Sequence, residues 1–236
     1  MRLYIIRHGQ SQNNALYVRT GSDRDRVDDP RLTEIGLRQA EVTATYLADS
    51  NDPVDVKDPS PGYKLTHLYT SLMHRAVSTG MPIAQKLNLP LHGWKDWHEN
   101  GGIYQQDSTS GEYLVRPGMA KSDFHKEFPE LILEDSIDEH GWWNRPYEAE
   151  ESRPVRARRV LQELFARHGG SDDRVAVVSH GGFFNQFMAA VLGLEQMHPV
   201  WFHTYNCAIT RFDFARGDHG VVFLNHVSHL PKDMIT

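Results

Sequence analysis

Four side chains carry the chemistry of this sequence: Arg7 and His8 near its start, Arg75, and His180. A guanidinium is a rigid, permanently charged fork of donors that matches the oxygens of a phosphate. A neutral imidazole is a competent nucleophile near pH 7. Two arginines and two histidines converging on one crevice would make an anion site with a nucleophile inside it. Gly9, next to His8, lets the backbone turn sharply and approach a ligand. Singly, each has a plainer explanation. Arg7 and His8 fit a charged strand end, Arg75 a surface residue at a helix start, and His180 a hydrogen-bonded core histidine.

The elements around these residues favour convergence. Residues 3–6 form a short apolar run, a buried strand that ends in Arg7-His8-Gly9. Residues 174–179 hold Val175-Ala176-Val177-Val178, a second buried strand, and His180-Gly181-Gly182 follows it directly. Shorter strands are expected at 67–70 and 89–91, with two late ones at 207–214 and 221–225. Helices are expected at 33–48 with Thr33 as N-cap and Ile35, Ala40, Ala44 and Leu47 as the apolar stripe, at 75–88 with a late start or kink at Pro82, at 150–168, and at 183–192. Residues 19–31 and 51–62 read as loops. Strands alternating with helices imply an α/β protein, a three-layer αβα sandwich with a mostly parallel sheet. Ligands of such sheets sit beyond the carboxyl ends of the strands, where His8 and His180 both fall.

Composition sets the outer limits. The chain has 236 residues, 39% hydrophobic and 24% charged, enough for a real core in one domain spanning 1–236. Twenty-five basic against thirty-one acidic side chains give a formal charge of −6, which argues against a nucleic-acid partner. Cys207 is the single cysteine, so no disulfide within the chain and no cysteine zinc site is expected; a cytoplasmic setting suits this. No apolar run approaches the ~18 residues of a membrane span. The fourteen histidines are scattered without ligand spacing, so no metal is expected. Arg153, Arg156, Arg158 and Arg159 read as a solvated helix face paired with Glu148, Glu150 and Glu151.

Arg7-His8-Gly9-Gln10-Ser11 with Asn14 downstream resembles the signature of the histidine phosphatase superfamily, which includes cofactor-dependent phosphoglycerate mutase. Further segments resemble its motifs in the same order: residues 32–40 its first helix, residues 70–79 its second arginine, Glu151-Ser152 a helix opening, and residues 177–182 its second histidine. An isolated Arg-His-Gly would be weak, but ordered matches across almost the whole chain are specific. The resemblance implies a phosphoglycerate mutase-like fold and a phosphoryl transfer in which His8 becomes a phosphohistidine. Arg7, Asn14 and Arg75 would hold the phosphoryl oxygens, and His180, cationic when phosphate is bound, would stabilise the same group. Asn14 could also be a helix cap. No cofactor or metal is needed, since arginine and histidine supply the positive charge. The family's general acid is a carboxylate after the third strand; Glu99 fits best, with Asp96 and Glu112 as fallbacks and an exposed loop carboxylate as the plainer explanation.

One departure bears on the substrate. Mutases carry a basic, proline-containing run after the acid, and no such run is present here. That favours metal-independent hydrolysis of a small organic phosphate ester over a mutase, or over a phosphate-binding regulatory protein without turnover. Residues 95–150 are expected to form an inserted lid with some helix near 118–128. Arg116, Lys121 and Arg145 are candidate substrate contacts there, and Tyr104, Trp142 and Trp143 candidate pocket walls; for the tryptophans packing is the plainer role. Oligomeric state is open. A homodimer is compatible, and Val200-Trp201-Phe202 reads as either core or interface.

Overall fold

A computed structural model describes residues 1–53, 62–107, 109–195, 200–215 and 218–236. Most of the expected 51–62 loop lies outside them. Strands β1 (Arg2–Arg7), β2 (His67–Thr70), β3 (Leu91–Gly93), β6 (Leu131–Ile132), β7 (Arg174–Ser179), β8 (Ile209–Ala215) and β9 (Asp218–His226) build one sheet in the order β6-β3-β2-β7-β1-β8-β9. The neighbours among β6, β3, β2, β7 and β1 are parallel, whereas β8 is antiparallel to both β1 and β9. A two-stranded hairpin, β4 (Tyr104–Gln106) with β5 (Tyr113–Val115), stands apart.

Alternation along the central strands divides the core in two. Tyr4, Ile6, Leu68, Ala176 and Val178 face one layer, with α2 (Glu34–Asp49) and α3 (His74–Leu87). Leu3, Ile5, Tyr69, Val175 and Val177 face the other, with α5 (Ser152–His168) and α6 (Gly181–Val191). Strands covered on both faces must be apolar throughout, which is why β1 and β7 read as unbroken hydrophobic runs. The three-layer αβα architecture is as expected.

Several local expectations shift. Helix α1 (Gln12–Thr20) falls where the sequence suggested no element; it has no fully buried residue and so carries no apolar stripe, and Ser11 caps it. Ile35 is 38% exposed rather than part of the α2 stripe, while Ala40, Ala44 and Leu47 are buried. Helix α3 begins at His74 and runs through Pro82, which neither delays nor ends it. Strand β3 starts two residues later than expected, and α6 starts immediately after His180.

The 95–150 segment is built largely into the core. Helix α4 (Lys121–Glu127) places Phe124 there, β6 extends the main sheet beside β3, and Trp142 and Trp143 are buried. Arg156, expected on a solvated face, is 3% exposed. Its Nε and Nη2 donate to the two oxygens of Glu148 at 2.6 and 2.8 Å, and its Nη1 donates to the carbonyls of Asp96 and His98. A planar fork can satisfy all these acceptors at once, so this arginine is worth burying. Arg153 and Arg159 do form surface pairs, with Glu150 and Asp96.

Candidate active site

Three parallel strands end at one level. Arg7 is in register with Ser179 and Thr70 with Val178, so the next residues, His8, His180 and Ser71, emerge together. The His8 N–H continues the ladder to the Ser179 carbonyl at 2.9 Å, and the Ser71 N–H donates to the Val178 carbonyl at 3.0 Å. Arg75 follows in the first turn of α3. The chain beyond His8 is pinned against α2, where a Cβ on Gly36 would lie 2.1 Å from the Gln10 carbonyl oxygen. Glycine at 36, a liability inside a helix, is what lets the two backbones touch.

His8 is buried and its protonation is legible from its partners. Arg75 Nε, which can only donate, lies 3.1 Å from His8 Nε2. Nε2 therefore carries the lone pair, and Nδ1 carries the hydrogen and donates to the Gly9 carbonyl at 2.7 Å. Burial, reinforced by Arg75 and Arg7, holds the His8 pKa well below the usual histidine value; the Gly9 carbonyl acts weakly the other way. The imidazole is neutral in the free protein.

Arg7 and Arg75 are also buried, and desolvation lowers the pKa of both from the ordinary arginine value. Arg7 Nη1 donates to the Thr204 carbonyl, while its Nε is buried without a partner. Asp29 backs Arg75, with its carboxylate 3.7 Å from Nη1 and both oxygens accepting the His74 N–H at 3.1 and 3.2 Å. Asn14 is the third residue of α1. Its Oδ1 accepts from the Ser11 N–H and hydroxyl and from Asn206 Nδ2. The capping role and a place at the site thus coincide, because the Asn14 amide hydrogens donate to no acceptor among the described residues. Asn206 also holds the His8 carbonyl, at 2.9 Å.

His180 packs against His8 with ring centroids 5.1 Å apart. Its Nε2 meets the Ser71 hydroxyl at 2.8 Å, and its Nδ1 is buried without a partner. Burial, then Arg75 and His8, push its pKa well below the usual value. Glu99 sits across the N-terminus of α6, accepting from the N–H groups of Gly182 (2.9 Å), Phe183 (2.7 Å) and Asn100 (2.8 Å). A Cβ on residue 182 would collide with Glu99 Oε1 at 2.3 Å, so the second glycine after His180 makes room for this carboxylate.

A cavity of about 270 Å³ opens over these groups, with Arg7, His8, Asn14, Arg75 and Glu99 in its wall and His180 just behind it. The remaining wall includes Arg26, which the sequence did not single out, and Trp201, which it offered only as core or interface. Trp201 is half exposed at the mouth and so is not part of the core of this chain. Among the residues expected in the wall, Trp142 and Trp143 are instead core, and Tyr104, Arg116, Lys121 and Arg145 do not line the cavity. The fallback acid Asp96 pairs with Arg145 and Arg159, and neither it nor Glu112 reaches the cavity. Asp29 and Asn206 also went unnoticed. They act on Arg75 and His8 across long sequence separations, and nothing in their local pattern marks them.

Comparison with known proteins bears on the family and the fold. A glucosyl-3-phosphoglycerate phosphatase from Mycolicibacterium vanbaalenii is 26% identical over 193 residues, 82% of this chain and 75% of that protein. A 2,3-bisphosphoglycerate-dependent phosphoglycerate mutase from Gloeothece citriformis is 27% identical over 223 residues, 84% and 86% of the two chains. The fold matches that of a phosphoserine phosphatase from Entamoeba histolytica in complex with 3-phosphoglyceric acid, with a TM-score of 0.59 at 20% identity over 98% of this chain and 99% of that one. No helix among the described residues is long and apolar enough to cross a membrane. The model of the histidine phosphatase superfamily, branch 1, matches residues 3–227, and the chain belongs to that superfamily.

Proposed function

We propose that this histidine phosphatase is a metal-independent phosphomonoesterase acting on a small organic phosphate through a phosphohistidine on His8. The observation that carries the proposal is the paired partnership of His8, with Arg75 Nε on one ring nitrogen and the Gly9 carbonyl on the other. It leaves a neutral imidazole with its lone pair on the cavity side, between two buried guanidinium groups.

In the first step the Nε2 lone pair attacks phosphorus in line and the bond to the leaving oxygen breaks. Arg75 exchanges its bond to Nε2 for a phosphoryl oxygen, while Arg7 and the Asn14 amide take the others. The buried Arg7 Nε and His180 Nδ1, both without partners, are costly in the free protein, and a bound anion relieves that cost. The dianion also raises the His180 pKa, so this imidazole takes up a proton as substrate arrives. Glu99 gives a proton to the leaving oxygen. In the second step it takes a proton from water, which attacks phosphorus and returns the N–P electrons to Nε2. Fixed donors around the transferring group supply most of the acceleration.

Relatives include both phosphatases and a mutase. Hydrolysis is favoured because, among the described residues of 95–150, only Glu99 contributes to the cavity wall, and none of the expected basic contacts there reaches it to shield an intermediate from water. The test is hydrolysis of an aryl phosphate in EDTA by wild type and His8→Ala. Activity should survive EDTA and fall by several orders of magnitude in the variant. Activity unchanged by His8→Ala would overturn the nucleophile assignment, and bisphosphate-dependent isomerisation without phosphate release would favour the mutase.

A further inference from the structure

At the opposite end of the sheet, where the parallel strands begin, His67, His168 and Asp173 converge from three elements. His67 opens β2, His168 closes α5, and Asp173 precedes β7. One ligand-capable atom from each lies within 4.8 Å of the others, the only such group of three among the described residues. We propose that these residues form a binding site for a divalent first-row metal ion of the Zn2+ type, separate from the catalytic cavity and serving the fold.

The donor set fits such an ion. Two imidazoles and a carboxylate are borderline nitrogen and oxygen ligands, suited to Zn2+ with water in the fourth position. The carboxylate oxygen Oδ2 of Asp173 already lies 2.8 Å from His168 Nδ1 and 4.0 Å from His67 Nδ1. Ligands around a tetrahedral ion stand about 3.4 Å apart, given bonds of roughly 2.0–2.1 Å. Reaching that spacing takes about 0.6 Å of adjustment at each Asp173 contact and up to about 1.4 Å between the two imidazoles, within reach of rotation of the partly exposed His67 side chain. His67 Nδ1 would exchange its present contact with the Thr66 hydroxyl, 2.9 Å away, for the metal.

The surroundings support the same assignment. His168 Nε2 lies 3.0 Å from the Tyr69 hydroxyl, so in the tautomer with its hydrogen on Nε2, donating to that oxygen, the Nδ1 lone pair is available to a metal. A partner on the distal nitrogen is the usual device for orienting a ligating histidine. The α5 carbonyls end at His168, and the negative end of a helix dipole favours a cation there. Asp173 adds a formal charge. The opposing cation, Arg167, lies over Trp94 and Tyr69 and is paired with Glu163. An ion here would tie the start of β2 to the short connection between α5 and β7, about a hundred residues later in the chain.

The test is titration of the EDTA-stripped protein with ZnCl2, following heat of binding and thermal unfolding. His67→Ala is the main variant, since this side chain is 39% exposed and its loss should not unfold the chain. Asp173→Asn is a second, and exposed His140→Ala a control. Wild type and control should take up one equivalent more than His67→Ala or Asp173→Asn, with a rise in Tm that both variants lose, or bind at least about tenfold more tightly than they do. Any Zn2+ taken up by the His8–His180 pair is common to all four proteins and cancels. Identical titrations for wild type and the ligand variants, or no uptake by wild type, would overturn the proposal. Phosphatase activity in EDTA stands independently of either result.

Discussion

Replacement of Glu99 by Gln separates two jobs that this carboxylate performs. Its oxygens accept three backbone N–H bonds, two of them from the first turn of α6. A carboxamide has one oxygen. If that oxygen keeps Phe183 and Asn100, the amide nitrogen faces the Gly182 N–H, donor against donor. Losing one charged hydrogen bond at a helix N-terminus costs about 1.5–3 kcal/mol. Tm should drop by roughly 3–12 °C for a chain of this size. Loss of the proton donor is a separate effect and depends on the leaving group. An alkyl phosphate, whose alkoxide must be protonated, should slow by about 10²–10⁴-fold. A nitrophenyl phosphate, whose phenolate leaves unaided, should keep its phosphorylation rate within about tenfold. The assay is burst and steady-state kinetics on the two esters with wild type and Glu99→Gln, below the variant's unfolding range. Equal losses on both esters would refute the acid role and leave Glu99 as a cap that shapes α6.

Two further outcomes follow from the buried charges. Burial holds His8, His98 and His180 well below the ordinary histidine pKa. The unfolded chain therefore takes up protons below about pH 6.5 that the native chain refuses. Folding stability should be level above that pH and fall as pH drops beneath it, by up to about 4 kcal/mol per pH unit for three groups. Urea unfolding at pH 7 and 5.5 reads this, and equal midpoints would contradict the burial. Arg156→Met should strand the Glu148 carboxylate at a cost of about 3–5 kcal/mol and free the loop bearing Glu99. Thermal melts and kcat should fall together, and adding Glu148→Leu should restore the melt but not kcat.

What the sequence revealed was whatever repeats along a short stretch. The apolar runs of β1 and β7 announce strands covered on both faces, and the residues after them could only emerge at strand ends. His8 and His180 stood out for that reason, while the resemblance of the motifs pointed to Glu99 and strengthened the choice of Arg75. Helix α1 was invisible because its weight rests on the Ser11 cap and not on a buried face. The tryptophans of the 95–150 segment misled because richness in aromatic residues describes a core and a pocket wall equally well. Arg156 was misplaced because a run of arginines on one helix looks solvated until Glu148 and the Asp96 and His98 carbonyls fold against it. Asp29, Asn206 and the His67–His168–Asp173 group depend on contacts between distant parts of the chain. Their spacing carries no pattern to read.

The central position of β1 has a consequence for how the protein is made. This strand is synthesised long before its two neighbours in the sheet, residues 174–179 and 209–213. At about 5–20 residues per second, some ten to forty seconds pass between synthesis of the nucleophile and arrival of the chain that flanks it. For that interval an apolar segment waits with both edges unpaired, a template for wrong partners. Covering it is work for a chaperone or for provisional contacts with α2 and α3, and catalytic competence begins only once β7 and β8 have been made.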